Sequence, residues 1–275
     1  MNAVPAVPRG DLPSVLFRRR AAAALIGSAA IIVALIYLNA NPLSLIRDFH
    51  FVVNLVGEML PPNLALLWRK EAIWGSLLDT ISMAFLGTLG GAAIAFVLAL
   101  LAAANTTPHP AVRLAVRSVL TAERCTPNFV VLLVLLIAVG LGPFAAMLSL
   151  LIGSIGMFGK LFADAIEQVD AGPVEGTAVT GAGRLQIIRY AVLPQVAPSI
   201  IANVFYAFDV NLRGAVALGV FGGGGIGFEL NVARSVLRYR DMLACIIVII
   251  IMINLMERVA DFFRKRILTL EAELK

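Results

Sequence analysis

Residues 76–104 read SLLDTISMAFLGTLGGAAIAFVLALLAAA. Asp79, near one end, is the sole ionisable side chain in the run. A helix needs roughly 20 mostly apolar residues to cross the hydrocarbon core of a bilayer, and this stretch is longer than that. Five further stretches meet the same requirement: Ala21 to Leu38, about Ala115 to Val139, about Pro143 to Ala163, about Ala191 to Leu218, and Met242 to about Phe262. The first follows Arg18, Arg19 and Arg20, a basic start that also opens secretory signals. Its length and the lack of a clear small-residue cleavage site favour an uncleaved anchor.

Composition agrees. Of the 275 residues 60% are hydrophobic and 14% charged, and mean hydropathy is +0.93. A soluble domain is typically about 25% charged. So few charges cannot cover a water-facing surface, which excludes a soluble enzyme and a disordered chain. The expected fold is all-α: a polytopic membrane bundle of about six spans.

There are 22 Lys and Arg against 17 Asp and Glu, a net charge of +5. In a soluble protein that excess would point to nucleic acid. Here it reflects the concentration of Lys and Arg in cytoplasmic loops, with membrane lipid rather than nucleic acid as surroundings. With the N-terminus inside, the inner segments hold Arg9, Arg18, Arg19, Arg20, Arg113, Arg117, Lys160, Arg184, Arg189, Arg258, Arg264, Lys265, Arg266 and Lys275. The outer segments hold Arg47, Arg69, Lys70, Arg234, Arg238 and Arg240, leaving Arg124 and Arg213 at membrane depth. Six spans with both termini inside satisfy this bias. The expected layout is a cytoplasmic segment 1–20, a first span 21–38, an outer loop 39–74 and a core 75–275.

Pro61 and Pro62 divide the outer loop. The stretch Asn63 to Lys70 is amphipathic and ends in Trp68-Arg69-Lys70, shortly before Trp74. Tryptophans and basic ends prefer the membrane–water boundary, so it reads as an interfacial helix with a structural role.

The cytoplasmic loop 164–190 is long, where most connections take about 4–6 residues. Pro173 suits the first turn of a helix, where its missing N–H costs nothing. Glu175 sits where the helix N-terminus favours a carboxylate. Gly176, Thr177 and Ala178 keep one side slim, and Gly181 and Gly183 end the helix. A second short helix, Arg184 to Tyr190, carries Leu185 and Ile188, with Val192 next in helical register. Leu193-Pro194 is expected to redirect the chain into the fifth span. The loop thus reads as a helix–turn–helix shelf suited to a partner.

The spacing of Glu175, Gly181 and Leu193-Pro194 resembles the E-A-A-x-x-x-G-x(9)-I-x-L-P motif of binding-protein-dependent ABC importer permeases. Gly176 and Thr177 stand in place of its two alanines and Ala191 in place of its isoleucine. Val139 to Gly153, Gly172-Pro173-Val174-Glu175, Thr180-Gly181-Ala182, Tyr190 to Gln195 and Leu218 to Gly227 are similar to the permease subunit of phosphonate transporters. The likeness covers about residues 112–266. Ala207 departs from it, since that family often has arginine after the tyrosine at this point. The resemblance implies a type I ABC importer permease fold in a bacterial inner membrane. It implies a second permease copy, two ATP-binding subunits that bind ATP and Mg, and a periplasmic or lipid-anchored phosphonate-binding protein. It also assigns ATPase coupling to Pro173, Glu175, Gly176, Thr177, Gly181, Ala182, Leu193 and Pro194. Permeases for phosphite or phosphate share these features; a channel or membrane enzyme would need no ATPase partner.

No nucleotide or metal site of the chain's own is expected. A phosphate-cradling loop reads G-x-x-x-x-G-K-[ST]. At Gly159-Lys160 it fails, because Ser154 takes the first glycine position and Leu161 follows the lysine. Gly222, Gly224 and Gly227 fit G-x-G-x-x-G without a βαβ unit, and read as a tight outer turn. Two cysteines, Cys125 and Cys245, and two histidines, His50 and His109, are too few and too far apart for a zinc site or a disulfide framework. Neither histidine is placed to serve a buried nucleophile.

Ionisable groups at membrane depth are costly and face a cavity or a partner. Asp209 and Arg213 stand four apart with the acid first, the order that favours a helical ion pair. Two readings stand: the pair neutralises itself, or Arg213 and Asn211 line the pathway with Asp209 nearby. In the second, the guanidinium fork matches phosphonate oxygens, although tight binding would hinder release. Glu123 and Arg124 are adjacent and point apart. Pro127 is expected to bend the third span, and Arg124 reads as structural or gating.

Overall fold

A computed structural model describes residues 12–38, 47–69 and 71–273, and every regular element within them is helical. Arg9, Lys70 and Lys275, with parts of segments 1–20 and 39–74, lie outside the described residues. The chain divides into two units, Met1–Gly57 and Glu58–Lys275. The first contains α1 (Leu12–Tyr37) and most of α2 (Phe49–Met59). The apolar run Arg19–Tyr37 is long enough to cross a membrane, and its side chains are exposed except for half-buried Leu35.

The second unit contains the remaining helices: α3 (Leu66–Arg69), α4 (Glu71–Ala102), α5 (Pro110–Arg124), α6 (Asn128–Val139), α7 (Pro143–Glu167), α8 (Ala171–Val179), α9 (Arg184–Ile187), α10 (Leu193–Leu218), α11 (Gly225–Ser235) and α12 (Tyr239–Glu273). Of these, α4, α7, α10 and α12 are apolar and long enough to span. The expected interfacial helix is reduced to the single turn α3. The short helices α2 and α11, within stretches read as outer loops, are additional.

The third span differs from expectation. Instead of one bent helix from Ala115 to Val139, α5 and α6 meet at 89°. Pro127 has extended backbone at the start of α6 (φ −63°, ψ 136°). A proline disfavours helical geometry in the residue before it, so α5 stops at Arg124. The twelve residues of α6 cover only about 18 Å at 1.5 Å per residue, less than the hydrocarbon core. The pair lies along α7 in two sections: Leu120 and Glu123 of α5 meet Gly159 and Gly156, and Asn128 of α6 meets Gly153.

The fifth span also differs. Leu193-Pro194 does not redirect the chain. Residues Ile188–Val192 form a π-helical turn, and helical structure continues from Arg184 into α10. Proline cannot donate to the carbonyl four residues back, and its ring crowds that carbonyl. A wider turn ahead of Pro194 relieves both problems without breaking the rod.

The core has two parts, and α4 runs through both. In one, Ile73, Leu77, Met83 and Ala84 of α4 pack with Leu150, Leu212, Ile226 and Ile249. In the other, Ala92, Ala95, Ala99 and Ala102 pack with Phe158, Phe162, Val192 and Val196. Lipid tails are as apolar as leucine, so close packing and interhelical hydrogen bonds hold spans together. Glycines on α4 provide the close packing. A Cβ added at Gly87 would come 2.8 Å from Leu150 Cβ, and one at Gly91 would meet Ser154 Cβ and lie 2.8 Å from the Leu151 carbonyl. Asn211 provides the hydrogen bonds: its amide donates to Thr88 Oγ1 of α4 and Ser154 Oγ of α7, both at 2.8 Å.

Two outcomes test this seam. Gly91→Val lowers thermal stability in detergent by about 1–3 kcal/mol through overpacking, whereas Gly75→Val, with open space around it, leaves the unfolding midpoint nearly unchanged. Asn211→Ala lowers it by about 1 kcal/mol, the usual scale for interhelical hydrogen bonds in membranes.

Candidate coupling surface and pathway

The shelf begins where α7 ends. Asp170 caps α8, its Oδ1 accepting the Gly172 N–H at 3.1 Å. Gln195 of α10 ties this start to the fifth span: its Oε1 accepts the Asp170 N–H at 2.9 Å, and its Nε2 donates to the Ala191 carbonyl at 2.8 Å. Val174 rests against the core, and Thr177 Oγ1 donates to the Pro173 carbonyl at 2.8 Å. Gly181 has φ +80°, a left-handed geometry that glycine adopts without strain. Gly183 then starts α9, its N–H donating to Gln186 Oε1 at 2.8 Å.

The sequence-predicted coupling residues come together here. Pro173, Glu175, Gly176 and Gly181 are exposed, and Thr177 and Ala182 are half-buried. Leu193, half-buried, packs on the core, and Pro194 is exposed beside it. A Cβ at Gly176 would meet nothing within 4 Å. Glu175 has no ion-pair partner among the described residues. The apolar triplet on the second shelf helix separates: Val192 is buried, Ile188 half-buried and Leu185 82% exposed. Val179, which sequence reasoning did not single out, is 88% exposed. Its signal was a large aliphatic residue directly before the helix-ending Thr180-Gly181.

At membrane depth the expected ion pair forms. Arg213 Nη1 lies 2.9 Å from Asp209 Oδ2, and Arg213 Nη2 lies 3.6 Å from Glu257 Oε2 on α12. The Arg213 side chain is 50% exposed and that of Asp209 only 16%. Asn211 faces the other way, buried between α4 and α7. The three residues therefore occupy two environments, an interhelical polar contact and an accessible charged cluster.

The glycine run forms a close-packed turn between α10 and α11. Gly222, Gly224 and Gly225 have positive φ. The Ile226 N–H donates to Thr80 Oγ1 at 2.9 Å, and Gly224 lies against Pro143. Near the start of α12, Asn63 Nδ2 donates to Asp241 Oδ1 at 2.7 Å and Arg238 pairs with Asp241 at 3.2 Å. His109 caps α5, its Nδ1 accepting the Ala111 N–H at 3.1 Å.

The chain is similar to several known proteins. The phosphate-import permease protein PhnE of Mycolicibacterium smegmatis is 43% identical over 228 residues, 82% of this chain and 42% of that protein. The phosphite transport system permease protein PtxC of Stutzerimonas stutzeri is 35% identical over 224 residues, 81% of this chain and 80% of its own. A chain of the MetNI methionine ABC transporter, in inward-facing conformations, superposes with a TM-score of 0.63 at 17% identity, covering 74% of this chain and 99% of that one. A chain of a bacterial alginate ABC transporter, in complex with a periplasmic protein holding an alginate pentasaccharide, gives 0.63 at 16%, covering 90% and 97%. These two likenesses establish a shared fold. Residues 95–269 match the family described as binding-protein-dependent transport system inner membrane component, and the chain, a multi-pass permease component of an ABC importer, belongs to that family.

Proposed function

We propose that the chain forms the membrane pathway of an ATP-driven importer of phosphonates in a bacterial inner membrane, with both termini in the cytoplasm. A second copy completes the pathway, two ATP-binding subunits hold ATP and Mg, and a periplasmic or lipid-anchored binding protein delivers the substrate. The observation that carries this reading is the shelf. It joins α7 to α10, and Val179 and Leu185 stand exposed on it beside the uncovered Glu175. An ATPase subunit with an apolar groove is the partner that suits such a surface.

Transport follows as a population shift between inward- and outward-open states. ATP draws the two ATPase subunits together, and the shelves move with them. Since the shelf is continuous with α7 and α10, its displacement reorients the spans that Asn211 joins to α4. Arg213 presents a guanidinium that suits a phosphorus oxyanion. Its contacts to Asp209 and Glu257 keep the attraction moderate, as release requires. Two relatives named as phosphate-import and phosphite permeases support a second reading of the cargo, phosphite or phosphate. Ligand profiling of the accompanying binding protein separates the three.

The coupling assignment is tested in cells. Glu175→Lys and the double substitution Val179→Asp/Leu185→Asp are expected to insert at wild-type level but lose at least about tenfold of uptake, roughly 1.4 kcal/mol or more of coupling. The ATPase subunit should co-purify poorly with the double variant. Normal uptake by both at matched protein level overturns the assignment. Arg213→Gln is expected to lower uptake severalfold while ATPase co-purification stays intact; unchanged uptake removes Arg213 from the pathway.

A further inference from the structure

A cleft of about 420 Å³ opens between α5 and α7, and neither the shelf residues nor the Arg213 cluster line it. Arg117, Arg124 and Lys160 line it, with Asp164 as the one carboxylate among its lining residues. Gly159 and Cys125 also line it. The charges are not balanced from within. Glu167 is taken by Arg113 at 3.1 Å and Arg117 at 2.8 Å, and also accepts the Ala104 N–H at 2.6 Å. Glu123, adjacent to Arg124, feels its charge without forming an ion pair with it and turns its carboxylate against Gly156. Arg124 and Lys160 are exposed and form no ion pair among the described residues.

Depth matters here. Lys160 stands seventeen residues beyond Pro143 on α7, about 26 Å along the helix at 1.5 Å per residue. That is just short of the roughly 30 Å hydrocarbon core, so its flexible stem brings the ammonium to the boundary where headgroup phosphates lie. An unpaired cation facing lipid is expensive. Two of them converging on one concave site with a carboxylate minority call for an anion. Basic pockets between spans on the cytoplasmic side are suited to phosphate-bearing headgroups, and the Arg124 fork can take two oxygens of one phosphoryl group.

We propose that the cleft between α5 and α7 is a binding site for a phosphoryl oxyanion, held by Arg124 and Lys160 with Arg117 behind them. Two sources present that chemistry: the headgroup of an anionic lipid, and a free phosphate-type ion at the inner face. The site depends on the chain crossing a membrane and not on which cargo it carries, so its fate is independent of the phosphonate reading.

Cys125 provides the readout. Of the two cysteines it is the exposed one, and Cys245 is buried. The full chain is reconstituted in three vesicle preparations: phosphatidylcholine alone, phosphatidylcholine with phosphatidylglycerol, and phosphatidylcholine with added inorganic phosphate at ionic strength matched by chloride. The rate of Cys125 alkylation by the uncharged reagent N-ethylmaleimide is followed by mass spectrometry. Slowing of roughly threefold or more relative to phosphatidylcholine alone is expected, as when ligand exceeds Kd about twofold. Slowing with phosphatidylglycerol only identifies a lipid headgroup, and slowing with inorganic phosphate identifies a free oxyanion. Equal rates in all three preparations overturn the site. The double variant Arg124→Gln/Lys160→Gln should lose the slowing, as should the single variant Lys160→Gln, measured in case the double one inserts poorly. Slowing that persists in a well-inserted variant also overturns the proposal.

Discussion

The seam between α4 and α7 is the contact on which the rest of the second unit depends. Water drives apolar helices together, but a bilayer supplies no such force. What remains is contact at short range, and glycine makes that possible. With Gly87 and Gly91 facing Leu150, Leu151 and Ser154, the two backbones approach closely enough for Asn211 to reach both helices from α10. A polar residue in a greasy span is costly when unpaired. Paired with Thr88 and Ser154 it becomes directional, and it fixes the rotation of α10 as well as its position. Thr80 does the same at the other end of α4, where its hydroxyl accepts the Ile226 N–H and orders the turn after α10.

The shelf inherits its geometry from that seam. It is suspended between α7 and α10, whose spacing and rotation are set deep in the bundle. Gln195 bonds to the Asp170 backbone at the start of α8 and to the Ala191 carbonyl on its own helix. The π-turn at Ile188–Val192 lets α9 continue into the fifth span. A force on the shelf therefore meets two rigid rods and no slack loop. Gly181 is the exception, a left-handed residue between α8 and α9 where the chain reverses.

Spans were legible because bilayer thickness imposes a length that composition alone reveals. Elements shorter than that length were not. Helices α2 and α11 have eleven residues each, too few to cross the hydrocarbon core. The third span looked continuous because its apolar content is continuous; Pro127 announced a bend, but its 89° angle depends on how α5 and α6 pack separately on α7. Leu193-Pro194 misled for a related reason, since proline after a short helix reads as a stop unless a π-turn absorbs the misfit. Asp209 and Arg213 were readable as a pair from their spacing, whereas the partners of Asn211 lie 123 and 57 residues away, and no local pattern records them. The spacing of Glu175, Gly181 and Leu193-Pro194 was visible in the sequence, but the exposure of Val179 was not, because exposure is a property of the folded shelf.

The exposed side chains on the shelf bear on how firmly a partner is held. Burying a valine or leucine fully contributes about 1.5–3 kcal/mol, so Val179 and Leu185 together offer roughly 3–6 kcal/mol before the costs of association. That is enough to orient a partner and too little to hold it alone. In the proposed assembly, firm attachment then requires the rest of the shelf, including the carboxylate of Glu175, and the contribution of two shelves acting together. A surface of this strength suits a cycle in which the ATPase subunits change their spacing at each turnover. On the proposed reading the contact transmits displacement, while the polar seam at Asn211, buried in the bundle, keeps the spans in register.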